Sequence, residues 1–209
     1  MNTEILTALT HRYATQVFDT TKAVSDEDLT IILESGRLAP SSFGLEPWKF
    51  IVVKNPEIRQ KLREVGYGQA KITDASHLVV IAYRQDGDTL VSELIDRTAK
   101  IQGKDKTELA GLEQMVSGVM KGRDDSARDA WLKAQAYIPL GAMIETAALL
   151  GVDTGPMEGF DATAVDEILG LAGAHLHATS MLALGYRGDD SAALRPKVRR
   201  AHDEVIQTI

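Results

Sequence analysis

The feature that most limits how this chain can fold is the run Ala-Gln-Ala-Tyr-Ile-Pro-Leu-Gly-Ala-Met-Ile-Glu-Thr-Ala-Ala-Leu-Leu at 134–150, in which only Glu145 is charged. Together with residues 127–133 it predicts one long helix, ended by Gly151. A helix apolar on most of its faces has to be buried. Pro139 removes a backbone donor, so a kink or local irregularity is expected there. A chain of 209 residues has limited interior. Association of subunits is one way to cover the excess apolar surface.

The other segments predict a sheet with helices around it. Ile5, Leu6 and Leu9 give a first helix over 2–10. Ser25 caps a second one, with Asp26, Glu27 and Asp28 at the positive end of its dipole and Leu29, Ile32 and Leu33 as its buried stripe. Gly36 weakens it near the end, and Pro40, Gly44 and Pro47 bound a turn-rich loop. Residues 48–53, Trp-Lys-Phe-Ile-Val-Val, predict a strand, and Pro56 opens a helix carrying Ile58, Leu62 and Val65. The run 78–83 is nearly continuous in apolar residues, as in a strand buried on both faces. Residues 88–120 are helical in character and 123–129 form a charged break; 155–160 is a tight loop, 161–169 a short helix and 181–186 the last strand. The class is α+β, with a central sheet flanked by helices, in one domain over 1–209 with 88–126 as a helical excursion.

Composition narrows the function classes. Acidic residues number 30 against 23 basic ones, a net charge of −7 that opposes nucleic-acid binding. The absence of cysteine excludes disulfides, thiolate nucleophiles and Cys-ligated metals, and fits a reducing cytoplasm, the expected location. The first twelve residues lack a signal-peptide pattern, and no run of about 18 apolar residues predicts a membrane span.

Local constellations yield no side-chain catalyst. His175 and His177 have a spacing that can chelate metal from a strand, but no third ligand is nearby in sequence, and a surface loop is the better reading. Asp74, Ser76 and His77 are too close along the chain for triad geometry, so helix capping by Asp74 or Ser76 is expected. Neither a Walker loop nor a Gly-x-Gly-x-x-Gly motif is present. A nucleotide cofactor would need basic groups far apart in sequence, Arg12 with Lys197 and Arg199; a solvated basic tail is the plainer alternative.

Taken together, the blocks at 12–19, 40–53, 71–83 and 151–160, closed by Lys197-Val198-Arg199, resemble the FMN-dependent nitroreductase family, in order and over nearly the whole chain. That resemblance implies a mostly antiparallel sheet in an intertwined homodimer with FMN at the subunit interface. It implies that Arg12, Lys197 and Arg199 hold the phosphate and ribityl end, with Tyr13, Ala14 and Gln16 also among the cofactor-binding residues and Gln16 near the flavin. Ser41, Ser42 and Gly44 would reach the partner's flavin, while Gln69 and Lys71 would face the pyrimidine edge. Pro156, Met157, Glu158 and Gly159 would pack on the ring, with the Glu158 backbone N–H aimed at flavin N5. Hydride would pass from NAD(P)H through N5 to small electron-poor acceptors, nitroaromatics or quinones, in a ping-pong cycle without a side-chain acid or base, and no metal is expected. Broad specificity would be set by Phe43 and residues 88–123. Ala14, Gln16 and Gly44 depart from the residues many relatives carry. The alternatives are a flavin-binding protein without turnover, or the same fold with a different flavin reaction such as dehalogenation.

Overall fold

The computed structural model describes residues 3–209; Asn2, expected to begin the first helix, lies outside the described residues. The elements are α1 (Thr3–His11), α2 (Asp26–Arg37), β1 (Trp48–Val52), α3 (Pro56–Val65), α4 (Lys71–Asp74), β2 (His77–Arg84), α5 (Gly87–Gln102), α6 (Ala110–Lys121), α7 (Asp125–Gln135), α8 (Tyr137–Leu149), β3 (Asp153–Met157), α9 (Ala162–Leu169), β4 (Leu176–Gly185) and α10 (His202–Val205). Local chemistry accounts for several boundaries. The Ser25 hydroxyl accepts the Asp28 N–H at 3.0 Å, and Asn55 accepts the Glu57 N–H at 2.8 Å with Pro56 at the first helical position.

Among the described residues four strands form one sheet in the order β1-β2-β4-β3, every neighbouring pair antiparallel. Side chains alternate across a strand, so β2 and β4 feed two cores at once. Val79, Ile81, Tyr83, Leu182 and Leu184 pack with Ile32, Val116 and Met143 from α2, α6 and α8. On the other face Leu78, Val80, Ala82, Met181 and Ala183 pack with Leu62, Ile72 and Val165 from α3, α4 and α9.

The long helix expected at 127–150 is two helices, α7 and α8, meeting at Ala136. In a continuous helix the Pro139 ring would strike the carbonyl of residue 135, four positions back. As the third residue of α8, Pro139 sits in a first turn whose N–H groups have no intrahelical acceptor anyway. Pro139, Leu140, Met143 and Ala147 are buried, while Ile138 and Leu149 stay exposed. Gly36, expected only to weaken α2, lets α8 come close: a Cβ there would lie 3.0 Å from Met143 Cγ. The charged stretch at 123–129 is mostly the first turns of α7, capped by Asp124, which accepts the Ala127 N–H at 2.8 Å.

Two further expectations are corrected. The segment at 155–160 begins as strand, not loop: β3 runs through Gly155 and Pro156 to Met157. It is an edge strand, where a proline's missing N–H costs no ladder bond. Gly155 is required by close approach, since a Cβ would sit 2.8 Å from the Thr15 carbonyl oxygen and 3.2 Å from Lys71 Cδ. Gly155→Ala should therefore destabilise the fold by about 1–3 kcal/mol through overpacking against backbone; chemical denaturation of the variant against wild type checks this. The last strand, in turn, begins at Leu176 rather than 181. Its first half is polar yet buried, because α9 covers it and Asp166 receives both His177 Nδ1 (2.5 Å) and the Ala178 N–H (2.8 Å). His177 is thus a strand residue and not part of a surface loop. Ile81 pairs with Ser180 and Ala82 with Ala178, which leaves Thr179 as a bulge.

The expected helix capping by Asp74 or Ser76 is also absent. Asp74 ends α4, and the Ser76 hydroxyl accepts the Val24 N–H at 2.9 Å and meets His77 Nδ1 at 3.0 Å. Among the described residues no helix is long and apolar enough to cross a membrane.

Candidate functional site

The chain from Arg12 to Phe18 lies along the outer edge of β3. Thr15 donates its N–H to the Thr154 carbonyl at 2.9 Å, and Phe18 forms a bridge with Arg187. This pairing covers an otherwise open sheet edge and brings the N-terminal block beside the chain that follows β4. Between them is a cleft of about 540 Å³, within the range of ordinary small-molecule sites.

Arg12, Tyr13, Ala14, Pro156, Lys197 and Arg199 all line that cleft, and Arg195 joins them. Among the described residues the lining holds four Arg or Lys cations and no carboxylate, in a chain whose net charge is −7. Lys197 donates to the Leu9 carbonyl at 2.7 Å and to the Arg12 carbonyl, which docks the tail on the end of α1. Burial and the repulsion of Arg12 and Arg199 hold the Lys197 ammonium below its ordinary pKa. A site of this kind lowers its energy when it takes up an anion, and a phosphate ester fits its donor set.

Further along β3 the groups change character. Lys71 opens α4 and is 5% exposed, with burial pushing its pKa down and the charge of Asp190 opposing that. Its hydrogen-bond acceptor among the described residues is Gln16 Oε1, at 3.4 Å, a long contact for a buried ammonium. Gln16 also donates to the Ala14 carbonyl at 2.7 Å. Gln69 donates to the Gly66 and Gly159 carbonyls at 3.0 and 2.8 Å, joining the chain before α4 to the loop after β3. Met157 points into the core, whereas the Glu158 carboxylate is exposed and accepts from the Tyr137 hydroxyl at 2.5 Å. Burial, and then that carboxylate, push the Tyr137 pKa up. The Glu158 backbone N–H has no acceptor among the described residues.

Ser41, Ser42 and Gly44 are not part of this group: they do not line the cleft. Their loop is fixed elsewhere, through the Ser42 N–H to Gln135 Oε1 (2.8 Å), the Glu46 N–H to the Ser41 hydroxyl (2.8 Å) and Arg97 to the Gly44 carbonyl (2.8 Å). Phe43 has φ 58° and sits edge-on to Trp131 at 6.5 Å, with the Arg123 guanidinium 4.5 Å from the Trp131 ring centre.

Sequence reasoning missed three residues that organise the site. Asp190 caps the turn ahead of the tail, a position that an Asp before Ser-Ala-Ala-Leu could have signalled. Arg187 pairs with Asp153 and stacks over Tyr13 at 4.7 Å. Arg59, on α3, reaches the chain around α4; nothing in its local sequence marks it as buried.

A model of the family described as Nitroreductase family matches residues 9–186. YfkO of Bacillus subtilis strain 168, provisionally named an NAD(P)H nitroreductase, is 39% identical, over 100% of this chain and 99% of its own length. A Staphylococcus saprophyticus protein with the same provisional name is 36% identical, over 99% of this chain and 97% of its own. Among solved structures, a nitroreductase-like protein from Streptococcus mutans superposes with TM-score 0.87 at 20% identity, covering both chains completely. A provisionally named nitroreductase from Exiguobacterium sibiricum, solved in complex with FMN, gives 0.81 at 22% identity, over 99% of this chain and 96% of its own. These two likenesses establish the fold.

Proposed function

The chain belongs to the nitroreductase family, and from that premise we propose that it is an FMN-dependent oxidoreductase that draws hydride from NAD(P)H and reduces small electron-poor acceptors such as nitroaromatics or quinones. The observation that carries this reading is the cleft with Arg12, Arg195, Lys197 and Arg199 and no carboxylate in its lining, contiguous along β3 with a buried Lys71 and an acceptor-free Glu158 N–H. The FMN bound to the Exiguobacterium protein supports the same cofactor here.

In this reading Arg12 and Arg199 grip the phosphate with paired donors, and Lys197 adds a point charge. Lys71 and Gln69 serve the pyrimidine edge, where a cation favours the electron-rich reduced ring. The Glu158 N–H, which has no acceptor among the described residues, would be free to donate to the ring. Bound FMN would supply the two-electron chemistry, which leaves the protein to position, desolvate and polarise.

A second copy of the chain completes the arrangement. Ile5, Leu6 and Leu9 on α1, Ile138 and Leu149 on α8, and Val198, Val205, Ile206 and Ile209 in the tail are exposed, apolar side chains that a partner subunit would cover. The Ser41–Ser42 loop, outside its own chain's cleft, would then reach the partner's.

The purified protein is expected to be yellow, to elute as a dimer, and to lose its flavin bands on anaerobic addition of NADH or NADPH. A protein that remains colourless after incubation with FMN would overturn the cofactor. A yellow protein that neither nucleotide bleaches would overturn the electron donor.

A further inference from the structure

The cationic cleft is built from two pieces of chain far apart in sequence, and one carboxylate lies where they meet. Asp190 is 7% exposed. Its Oδ2 accepts from the Tyr13 hydroxyl (2.8 Å), the Gln16 N–H (2.8 Å) and the Val17 N–H (3.2 Å). Its Oδ1 accepts the Ala192 N–H at 2.9 Å and so caps the turn Ser191–Leu194, which runs directly into Arg195, Lys197 and Arg199. On one side of it the two chain segments pair through backbone, with the Gly188 N–H on the Val17 carbonyl at 3.0 Å. On the other side Lys197 reaches the Leu9 and Arg12 carbonyls. Gln16, whose backbone Asp190 holds, presents its side-chain oxygen to Lys71.

We propose that Asp190 is a positioning residue for the cofactor: its carboxylate clamps the Tyr13–Val17 segment to the turn that launches the tail, so that Arg12, Lys197 and Arg199 converge on one cleft while Gln16 meets Lys71. This rests on the flavin reading above. A carboxylate beside an anion site is unexpected on charge alone, because it repels the ligand. Here the two oxygens together accept four donors from the chain, three on Oδ2 and one on Oδ1, so the negative charge is spent on holding backbone and a tyrosine. Burial works to raise the Asp190 pKa, but the Gln16 N–H, the Tyr13 hydroxyl and the Ala192 and Val17 N–H groups hold it down at about 2. The clamp therefore stays charged at any working pH.

Repulsion and clamping predict opposite results for Asp190→Asn, which removes the charge and turns one acceptor oxygen into a donor facing other donors. If repulsion dominates, FMN binds more tightly. If the clamp dominates, FMN binds about tenfold or more weakly, the loss expected for a broken charge-assisted network. Riboflavin, which has no phosphate, separates positioning from general damage. The clamp predicts a reduced preference for FMN over riboflavin, whereas loose folding lowers both affinities alike.

Dissociation constants for FMN and riboflavin should be measured by fluorescence quenching for wild type, Asp190→Asn, Tyr13→Phe and the exposed neighbour Asp189→Asn. Tyr13→Phe deletes a single hydroxyl and keeps the proposal testable should Asp190→Asn fold poorly. The expected result is a lower FMN preference in Asp190→Asn, a smaller drop in Tyr13→Phe and none in Asp189→Asn. Wild-type preference retained in both clamp variants, or tighter FMN binding by Asp190→Asn, overturns the clamp and leaves the flavin reading standing. A wild type that binds no FMN overturns both.

Discussion

Replacing Arg12 and Lys197 together with alanine should weaken FMN binding by at least about a hundredfold. Each charge-assisted hydrogen bond to phosphate contributes roughly 1.5–3 kcal/mol, so two of them account for about 3–6 kcal/mol, and each 1.4 kcal/mol is a factor of ten. The cleft makes the loss hard to recover, because among the described residues the lining offers only Arg195 and Arg199 as further Lys or Arg cations to take over. Lys197 has a second role, since its ammonium docks the tail on the Leu9 and Arg12 carbonyls. Lys197→Ala alone should therefore cost more than Arg12→Ala alone. Equilibrium dialysis at two salt concentrations gives the check. The wild-type affinity should fall as salt rises, and that dependence should flatten in the double variant. A double variant that binds FMN within threefold of wild type would remove the cationic cleft from the cofactor site.

The second large effect falls outside the cleft. Arg59 is 9% exposed and donates to the carbonyls of Ile72 (2.7 Å), Ala75 (2.5 Å) and Ser76 (3.3 Å). These oxygens flank the end of α4 and the start of β2, in the stretch that carries Lys71. Burial lowers the Arg59 pKa, with Asp74 opposing, and the guanidinium remains charged. Arg59→Ala leaves buried carbonyls without donors, each a penalty of about 1–3 kcal/mol, so a loss of at least about 3 kcal/mol is expected. At roughly 2–4 °C per kcal/mol for a chain of this size, the melting temperature should fall by about 6–12 °C. Arg59→Lys should recover only part of this, because an ammonium cannot reproduce the planar fork that reaches all three oxygens. Thermal unfolding followed by circular dichroism measures both. A shift below about 3 °C in Arg59→Ala would mean that water replaces the guanidinium and that the carbonyls are less enclosed than their geometry implies.

These two residues illustrate different kinds of legibility. Composition alone favours a solvated tail, and Arg12 and Lys197 become candidates only through the in-order resemblance of the short blocks. Arg59 was not a candidate. It sits on α3 among polar residues that face solvent, and an arginine in such a helix ordinarily does too. Only the placement of α4 against α3 turns its guanidinium into an internal cap.

What the sequence determined by itself is whatever depends on neighbours within a turn or two. The starts of α2 and α3 follow from Ser25, Asn55 and Pro56, and the central strand β2 follows from an unbroken apolar run. The cysteine-free, acidic composition excluded whole classes of chemistry without any fold. The tertiary structure decided what depends on distant neighbours. Gly155 and Pro156 carry the local signature of a turn, yet an edge position and the approach of Thr15 make them strand. His177, Thr179 and Ser180 break the apolar pattern of β4, yet α9 and Asp166 bury that half of the strand. The cationic cleft is the extreme case: Lys197 meets Arg12 across 185 positions, with Asp190 hydrogen-bonded to both segments. Helix caps and strand periodicity are local free-energy preferences that a short segment expresses on its own. The convergence of mutually repelling cations is not, because only the packing of β3, β4 and the N-terminal block makes up for bringing them together.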